Sequence, residues 1–192
     1  MPKVKIGAKT FLYPMPIVLV GAVVNGKANF LAVAYCGIMN HDPAVIAVAL
    51  NKSHYTNSGI KKNGCFSVNI PSVKIMTAVD YCGIFSGSRV DKSRIFETFY
   101  GKLKHAPMIK DCPVNLECEL IQTLQFDVDE VFIGKIVQAY SEKKYLTGGF
   151  PDIKKIDPAV FSMHDNNYWR VGGHVGKAWD IGEKFKSKGR LK

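Results

Sequence analysis

The sequence predicts a mainly β fold, an antiparallel barrel with a few short helices. Three observations carry the prediction. β-Branched apolar runs recur, as in "IVLVGAVV" (17–24) and "AVIAVAL" (44–50). "NGK" (25–27) separates two apolar runs, and Asn-Gly supplies the positive φ angles of a two-residue hairpin turn. Two long stretches, "PVNLECELIQTLQF" (113–126) and "EVFIGKIVQAYSEKKYL" (130–146), alternate apolar and polar residues and read as a long antiparallel pair. Many strands with short helices between them point to a closed, mostly antiparallel barrel.

Each element follows in order. "FLYPMPIVLVGAVV" (11–24) comes after several lysines and resembles a secretory leader. Two prolines interrupt it and no small-x-small cleavage pattern follows, so it reads as a buried strand. It is also too short to span a membrane. "ANFLAVAYCG" (28–37) returns as the second strand, "HDP" (41–43) breaks the chain, and 44–50 is the third strand. Residues 56–63 read as a helix with Thr56 as N-cap and Gly64 as its stop. "SVNI" (67–70) is the fourth strand. "SVKIMTAVDYCG" (72–83) carries Ile75, Val79 and Tyr81 or Cys82 at helical spacing, and "DKSRIFETFYG" (91–101) carries Ile95 and Phe99 at i and i+4. In the long pair, Val114, Leu116, Cys118 and Leu120 share one face, and Gly134 marks a bend. One domain is expected over 1–182, with a basic tail, "EKFKSKGRLK", over 183–192.

The composition narrows the function classes. The chain has 192 residues, enough for one domain with a real core. Hydrophobic residues make up 47% and charged residues 22%, which is a globular balance. The formal charge of +10 admits nucleic acid, an anionic cofactor or an acidic protein partner. No recognition helix or RNP-type motif appears, and aromatics are not interleaved with arginines, which makes nucleic acid an unlikely partner. The cysteines are Cys36, Cys65, Cys82, Cys112 and Cys118, an odd number with no CxxC. They fit neither a zinc site nor a disulfide framework, and they read as small core residues of a cytoplasmic protein. No His/Cys/Asp cluster has metal spacing and no nucleophile motif occurs. His41 in "NHDP" reads as a turn residue, and His174 in "GGHVG" as either a turn residue or a contact to a ligand or the partner subunit.

The informative stretch is "NKSHYTNSGIKKNG" (51–64), which joins two buried strands. It admits two readings. One is a capped surface helix. The other is an anion site, since the first N–H groups of a helix are unpaired and its dipole favours negative charge there. Ser53 and Thr56 would then donate hydroxyls and Lys52 a cation. Neither GxxxxGK[ST] nor GxGxxG is present, which excludes the usual nucleotide loops. "VNIPS" (68–72) ends a strand on Asn69, and "FSGSRVDKS" (85–93) is a Gly/Ser loop leading into Lys92. A cation opening a helix opposes the dipole, so a compensating anion is expected there. These pieces could line a flat, partly apolar pocket with one charged end, suited to an aromatic ring system carrying a phosphate.

The same residues resemble the flavoredoxins and the wider flavin-reductase-like group of FMN-binding split barrels. The likeness runs through "GAKTFLYPMPIVLVGA", the strand from Asn29 to Gly37, "ALNKSHYTNSGI", "FSVNIPS", "DYCGIFSGSRVDKS", "CPVNLECELI", "FIGKIV" and "YWRVGGHVGKAWDIG". The resemblance implies a six-stranded antiparallel Greek-key split barrel with added short helices, a homodimer with FMN near the subunit interface. It also implies a site. Ala34, Tyr35 and Cys36 would lie at the flavin ring, with Asn29 on the same strand. Ala49, Leu50, Asn51 and Lys52 would contact the ring or ribityl chain through backbone groups. Ser53, Tyr55 and Thr56 would hold the phosphate, and Asn69 would meet the flavin edge or ribityl hydroxyls. Ser86, Gly87 and Lys92 would close the site. Three departures stand out. "FLAVAYC" offers fewer hydroxyls than the family's strand, Ser93 follows Lys92 where Phe is usual, and Asp129 stands where a His near the flavin is common.

Two functions follow from the resemblance. In the first, NAD(P)H reduces bound FMN, which passes electrons to a flavin, ferric iron or a protein. In the second, FMN is a fixed carrier serving an acidic, ferredoxin-like partner, which the basic charge would steer. In either, the protein supplies orientation and electrostatics while the flavin carries the chemistry. A basic barrel for nucleic acid is the third reading and lacks the stacked aromatics it would need.

Overall fold

Asn25 and Gly26 take φ of 49° and 77°, the left-handed geometry that the Asn-Gly pair predicts. They join β1 (Val18–Val24) to β2 (Lys27–Val33) as an antiparallel hairpin. This computed structural model describes residues 1–186, and 187–192 of the predicted basic tail lie outside the described residues. The predicted strand over 28–37 is two strands. It ends at Val33, and β3 (Cys36–Asn40) starts after only Ala34 and Tyr35. Next come β4 (Val45–Asn51), α1 (Thr56–Asn63), β5 (Cys65–Ile70) and α2 (Met76–Ile84). The long pair is β6 (Val114–Gln125) and β7 (Asp129–Ser141), followed by the hairpin β8 (Ala159–Ser162) and β9 (Asn167–Arg170).

The principal sheet has seven strands in the order β2-β1-β5-β6-β7-β4-β3, every neighbour antiparallel. β2 and β3 are its two edges. Laid flat, seven strands at ~4.8 Å spacing would hold those edges roughly 29 Å apart. The two-residue link from Val33 to Cys36 spans at most about 11 Å. The sheet therefore has to roll until its edges meet, and the Ala49 N–H donates to the Tyr35 carbonyl at 2.9 Å to fasten the link. Among the described residues no ladder joins β2 to β3 or β4. The mainly β, antiparallel class holds, while the closed barrel read from the strand pattern and the strand count of six are corrected to a rolled, seven-stranded sheet with an open seam.

β1 and β2 are buried on both faces, which explains their unbroken apolar runs. One face points into the roll, where Val18, Val20, Leu31 and Val33 pack with Val48, Phe66, Val68 and Phe132. The other meets α2 and the 93–112 segment through Ile17, Leu19, Phe30, Val79, Phe96 and Ile109. Burying each such side chain is worth about 1.5–3 kcal/mol. The predicted helix over 91–101 does not form. Phe96 and Phe99, which a helix would set on one face, pack edge-on against Phe30 and Tyr140 respectively. The segment instead holds turns and a short strand, Thr98–Phe99, paired with Met108–Ile109.

Two glycines are fixed by contact. The β6–β7 register shifts at Gly134, the predicted bend, where an added Cβ would stand 2.6 Å from the Phe66 ring. Gly101 faces Glu117, a fully buried carboxylate that accepts the Leu103 N–H at 2.6 Å and the Tyr140 hydroxyl at 3.2 Å. A Cβ on Gly101 would lie 2.5 Å from that carboxylate. Phe66→Ala is expected to cost about 3–5 kcal/mol, measured as a shift in the urea midpoint. Gly134→Ala is expected to cost about 1–3 kcal/mol by overpacking. Combined, the two should cost less than their sum, because the emptied Phe66 volume accepts the methyl group.

Candidate functional site

β4 ends at Asn51, whose side chain folds the turn that follows. Its Oδ1 accepts the Ser53 N–H at 3.0 Å and the Ser53 hydroxyl at 2.7 Å. Its carbonyl accepts the His54 N–H at 3.0 Å and the Asn57 side-chain N–H at 2.9 Å. Asn57 donates again to Glu130 Oε1 at 2.9 Å. Glu130, 2% exposed, also accepts Lys61 Nζ at 3.0 Å and Gln125 Nε2 at 3.0 Å. Burial works to raise its pKa, but the donors from Gln125, Lys61 and Asn57 outweigh it and hold the carboxyl below its ordinary value.

Thr56 is the first residue of α1 rather than its cap. Tyr55 occupies the cap position with helical angles and no side-chain cap bond, and Gly64 ends the helix at φ 64° as predicted. The buried Thr56 Oγ1 accepts Asn29 Nδ2 at 2.8 Å, which ties α1 to the edge strand β2. The backbone N–H groups of Tyr55 and Thr56 make no hydrogen bond among the described residues. Two buried side-chain polar atoms lack a partner among the described residues, and both belong to this turn: His54 Nδ1 and Asn57 Oδ1. Buried polar atoms in native proteins are nearly always paired, so two orphans this close in sequence set this region apart.

Two cavities flank the turn. The first, about 300 Å³, is polar, with Asn25, Asn29, Tyr55, Gly87, Ser88, Arg89 and Lys92 in its wall. Lys27 and Asp91 line it too and pair at 2.7 Å. A Cβ on Gly87 would come within 1.9 Å of Asn29 Oδ1, so only glycine leaves this wall open. The second, about 240 Å³, is lined by Ala32, Val33, Ala34, Tyr35, Ala49, Leu50, Asn51, His54, Asp129 and Met163. Its walls are the seam of the rolled sheet. One cavity is mostly apolar, and the other is polar and lined by several cations.

The structure thus brings together most of the residues the sequence singles out and sends others elsewhere. Asn29, Tyr55 and Gly87 line the first cavity, with Thr56 bonded to Asn29 beside it. Ala34, Tyr35, Ala49, Leu50 and Asn51 line the second. Lys52 lines neither: its N–H pairs with the Val128 carbonyl and its ammonium reaches the Asp127 carbonyl at 3.2 Å. Ser53 spends its hydroxyl on Asn51, and Ser86 bonds Ser88 at 2.9 Å. Asn69 is fully buried and bonded to Leu19, Ser67, Ile109 and Asn115, so it belongs to the core and not to the cavities. The Cys36 side chain packs on the interior of the roll, where burial pushes its thiol up to about 12. Lys92 opens no helix. It is 2% exposed, and its ammonium donates to the carbonyls of Phe30 at 2.9 Å and Cys82 at 2.7 Å. Sequence reasoning missed Asn25, Arg89, His54, Glu130 and Met163. His54 lies inside the stretch already singled out, and Met163 is distant in sequence with no motif to mark it.

With this geometry described, relatives can be compared. The family model described as flavin reductase like domain matches residues 10–154. The chain belongs to this family. Among solved structures, the flavoredoxin of Methanosarcina acetivorans is 50% identical, with 96% of this chain and 100% of that chain covered and a TM-score of 0.94. The flavoredoxin of Desulfovibrio vulgaris (Miyazaki F) is 34% identical, with 94% and 100% covered and a TM-score of 0.88. An FMN reductase (NADH), RutF, of Bradyrhizobium diazoefficiens is 25% identical over 126 residues, 61% of this chain and 68% of that protein. This flavin reductase like chain has no group of three or more His, Cys, Asp or Glu fit for a metal among its described residues. No described helix is long and apolar enough to cross a membrane.

The Glu130 network yields a pH-dependent expectation. A carboxyl whose pKa is lower in the folded than in the unfolded chain contributes stability above its unfolded value, here 4.5, and loses it as pH falls through the folded value. Glu130→Gln should therefore cost about 1–3 kcal/mol near neutral pH. The gap from the parent protein should shrink steadily in acid, as followed by urea unfolding across pH.

Proposed function

We propose that this chain is an FMN-binding flavoprotein that passes electrons from NAD(P)H or a redox protein, through the bound flavin, to a flavin, ferric or protein acceptor. The observation that carries the reading is the turn after β4, which leaves the Tyr55 and Thr56 N–H groups and the buried His54 Nδ1 unpaired beside a mostly apolar cavity and a polar, cation-lined one. FMN meets what each part lacks. Its ring suits the alanine-rich wall at the seam. Its ribityl hydroxyls can pair with backbone groups at the end of β4, and its phosphate suits free helix N–H groups and nearby cations. When bound, FMN supplies the capacity to take up and release electrons.

In this reading Asn29, Tyr55, Thr56 and Gly87 form the phosphate end, with Arg89 and Lys92 adding positive charge. Ala34, Tyr35, Ala49, Leu50 and Asn51 form the ring end, where backbone groups orient the flavin and exclude water. The buried Lys92 ammonium has a third N–H beyond its two carbonyl partners, free to face an anion. The working unit is taken as residues 1–182, as a cytoplasmic homodimer. Ile38 and Met39, exposed on the edge strand β3, support a second copy at that edge. Electron supply by an acidic redox partner is favoured by the +10 charge, as for a fixed FMN carrier.

Fluorescence titration of the apo-protein is expected to give one FMN per chain. Gly87→Val, which fills the wall against Asn29, is expected to weaken binding at least tenfold, roughly 1.4 kcal/mol or more. Anaerobic mixing with NADH and NADPH should bleach the flavin spectrum if a nicotinamide is the donor. Bleaching only by a reduced ferredoxin would assign the carrier role instead. A purified protein that binds no flavin would overturn the proposal.

A further inference from the structure

His54 lines the mostly apolar cavity, one residue before Tyr55, which lines the polar one. Its ring lines the apolar cavity beside Tyr35, Asn51 and Asp129, while its backbone opens the turn into α1. Nδ1 is buried without a partner, and neither ring nitrogen makes a hydrogen bond among the described residues. A neutral imidazole carries one N–H and one lone pair, and a buried nitrogen of either kind is costly unless paired.

The charges around it are few. From the segment after α2 comes the Lys92 ammonium, from β7 the Asp129 carboxylate, and from the link between the sheet edges the Tyr35 hydroxyl. Burial first, and then Lys92, hold the His54 pKa below its ordinary value, with Asp129 opposing. In the empty site the imidazole is therefore neutral near physiological pH. A negative charge brought close to His54 changes that balance. It offsets Lys92 and gives a protonated Nδ1–H something to donate to.

We propose that His54 is an anion contact of the cofactor site, and that filling the site draws one proton from solvent onto its imidazole. The inference rests on the FMN reading. The anionic group is either the phosphate of FMN or the ring after it has received electrons. With oxidised FMN the one bond formed is the N–H at His54; where the reduced ring is the partner, dithionite supplies the electrons, reduction also forms the ring's own N–H, and both protons come from solvent.

The sign follows from linkage. If the pKa of His54 is low in the free protein and higher in the complex, affinity is greatest below the free value. It falls by about tenfold per pH unit between the two values and levels off above the bound one. The phosphate of FMN titrates as well, near ~6, so the comparison is with His54→Gln, which keeps that term.

The test is calorimetric titration of the apo-protein with oxidised FMN, and separately with riboflavin, in buffers of different ionisation enthalpy. The expected result is proton uptake with FMN that is lost in His54→Gln. Uptake with FMN but not riboflavin assigns the phosphate as the partner. If uptake appears only after anaerobic reduction by dithionite, and with both ligands, the ring is the partner. NMR titration of histidine-labelled parent protein, free and loaded, needs no variant and should show one imidazole rising in pKa by at least one unit. FMN bound with no proton uptake in either redox state, and no histidine shift, overturns the role of His54 while leaving FMN binding intact. No FMN binding at all overturns both.

Discussion

A link of two residues, Ala34 and Tyr35, has to cross from one edge of a seven-stranded sheet to the other. That short tether is the constraint on which the rest depends. It forces the sheet to roll and brings β2 beside β4 without pairing them. The seam left behind has three alanines in its wall, Ala32, Ala34 and Ala49, beside larger side chains such as Tyr35 and Met163. A closed barrel would have filled that space with ladder hydrogen bonds and side chains. Here the polar groups of an unpaired edge line a cavity, which under the FMN reading is where the flavin ring lies.

The turn at the end of β4 is held as firmly as the seam. Asn51, Asn57 and Glu130 form a chain of hydrogen bonds from strand end to helix to neighbouring strand, and Asn29 and Thr56 tie the helix to the opposite edge. Buried polar networks of this kind stabilise little over an apolar core, and they are costly when broken. Their effect is to fix geometry. Positions bonded this way resist rearrangement, and His54 Nδ1 and Asn57 Oδ1 stay unpaired beside them.

Much of this was legible in the sequence, for physical reasons that can be named. Asn25-Gly26 has one favourable geometry, and the alternation along 113–126 and 130–146 has one favourable pairing, so both appear where the pattern puts them. The helix at 56–63 has strong end signals. Other features were hidden because tertiary contacts decide them. Ala34 and Tyr35 read as the middle of a strand, since nothing local says that the chain changes edges there. The i, i+4 spacing of Ile95 and Phe99 is helical, but aromatic partners on two sides of the molecule pull Phe96 and Phe99 apart. Lys92 was visible as a cation near the site, yet its burial against two carbonyls is known only once α2 and β2 are packed. Asn69 looked like a ligand contact because a polar residue at a strand end resembles one, when its amide is consumed by four neighbours.

The contact between Gly101 and Glu117 restricts how this chain can drift. No side chain can be added at 101 while an acid with its Tyr140 and Leu103 partners fills the space opposite. Losing the acid first would leave the tyrosine hydroxyl and the amide without that partner in a half-buried site. Either change alone costs stability, so the two positions are held to each other and are expected to drift as a pair.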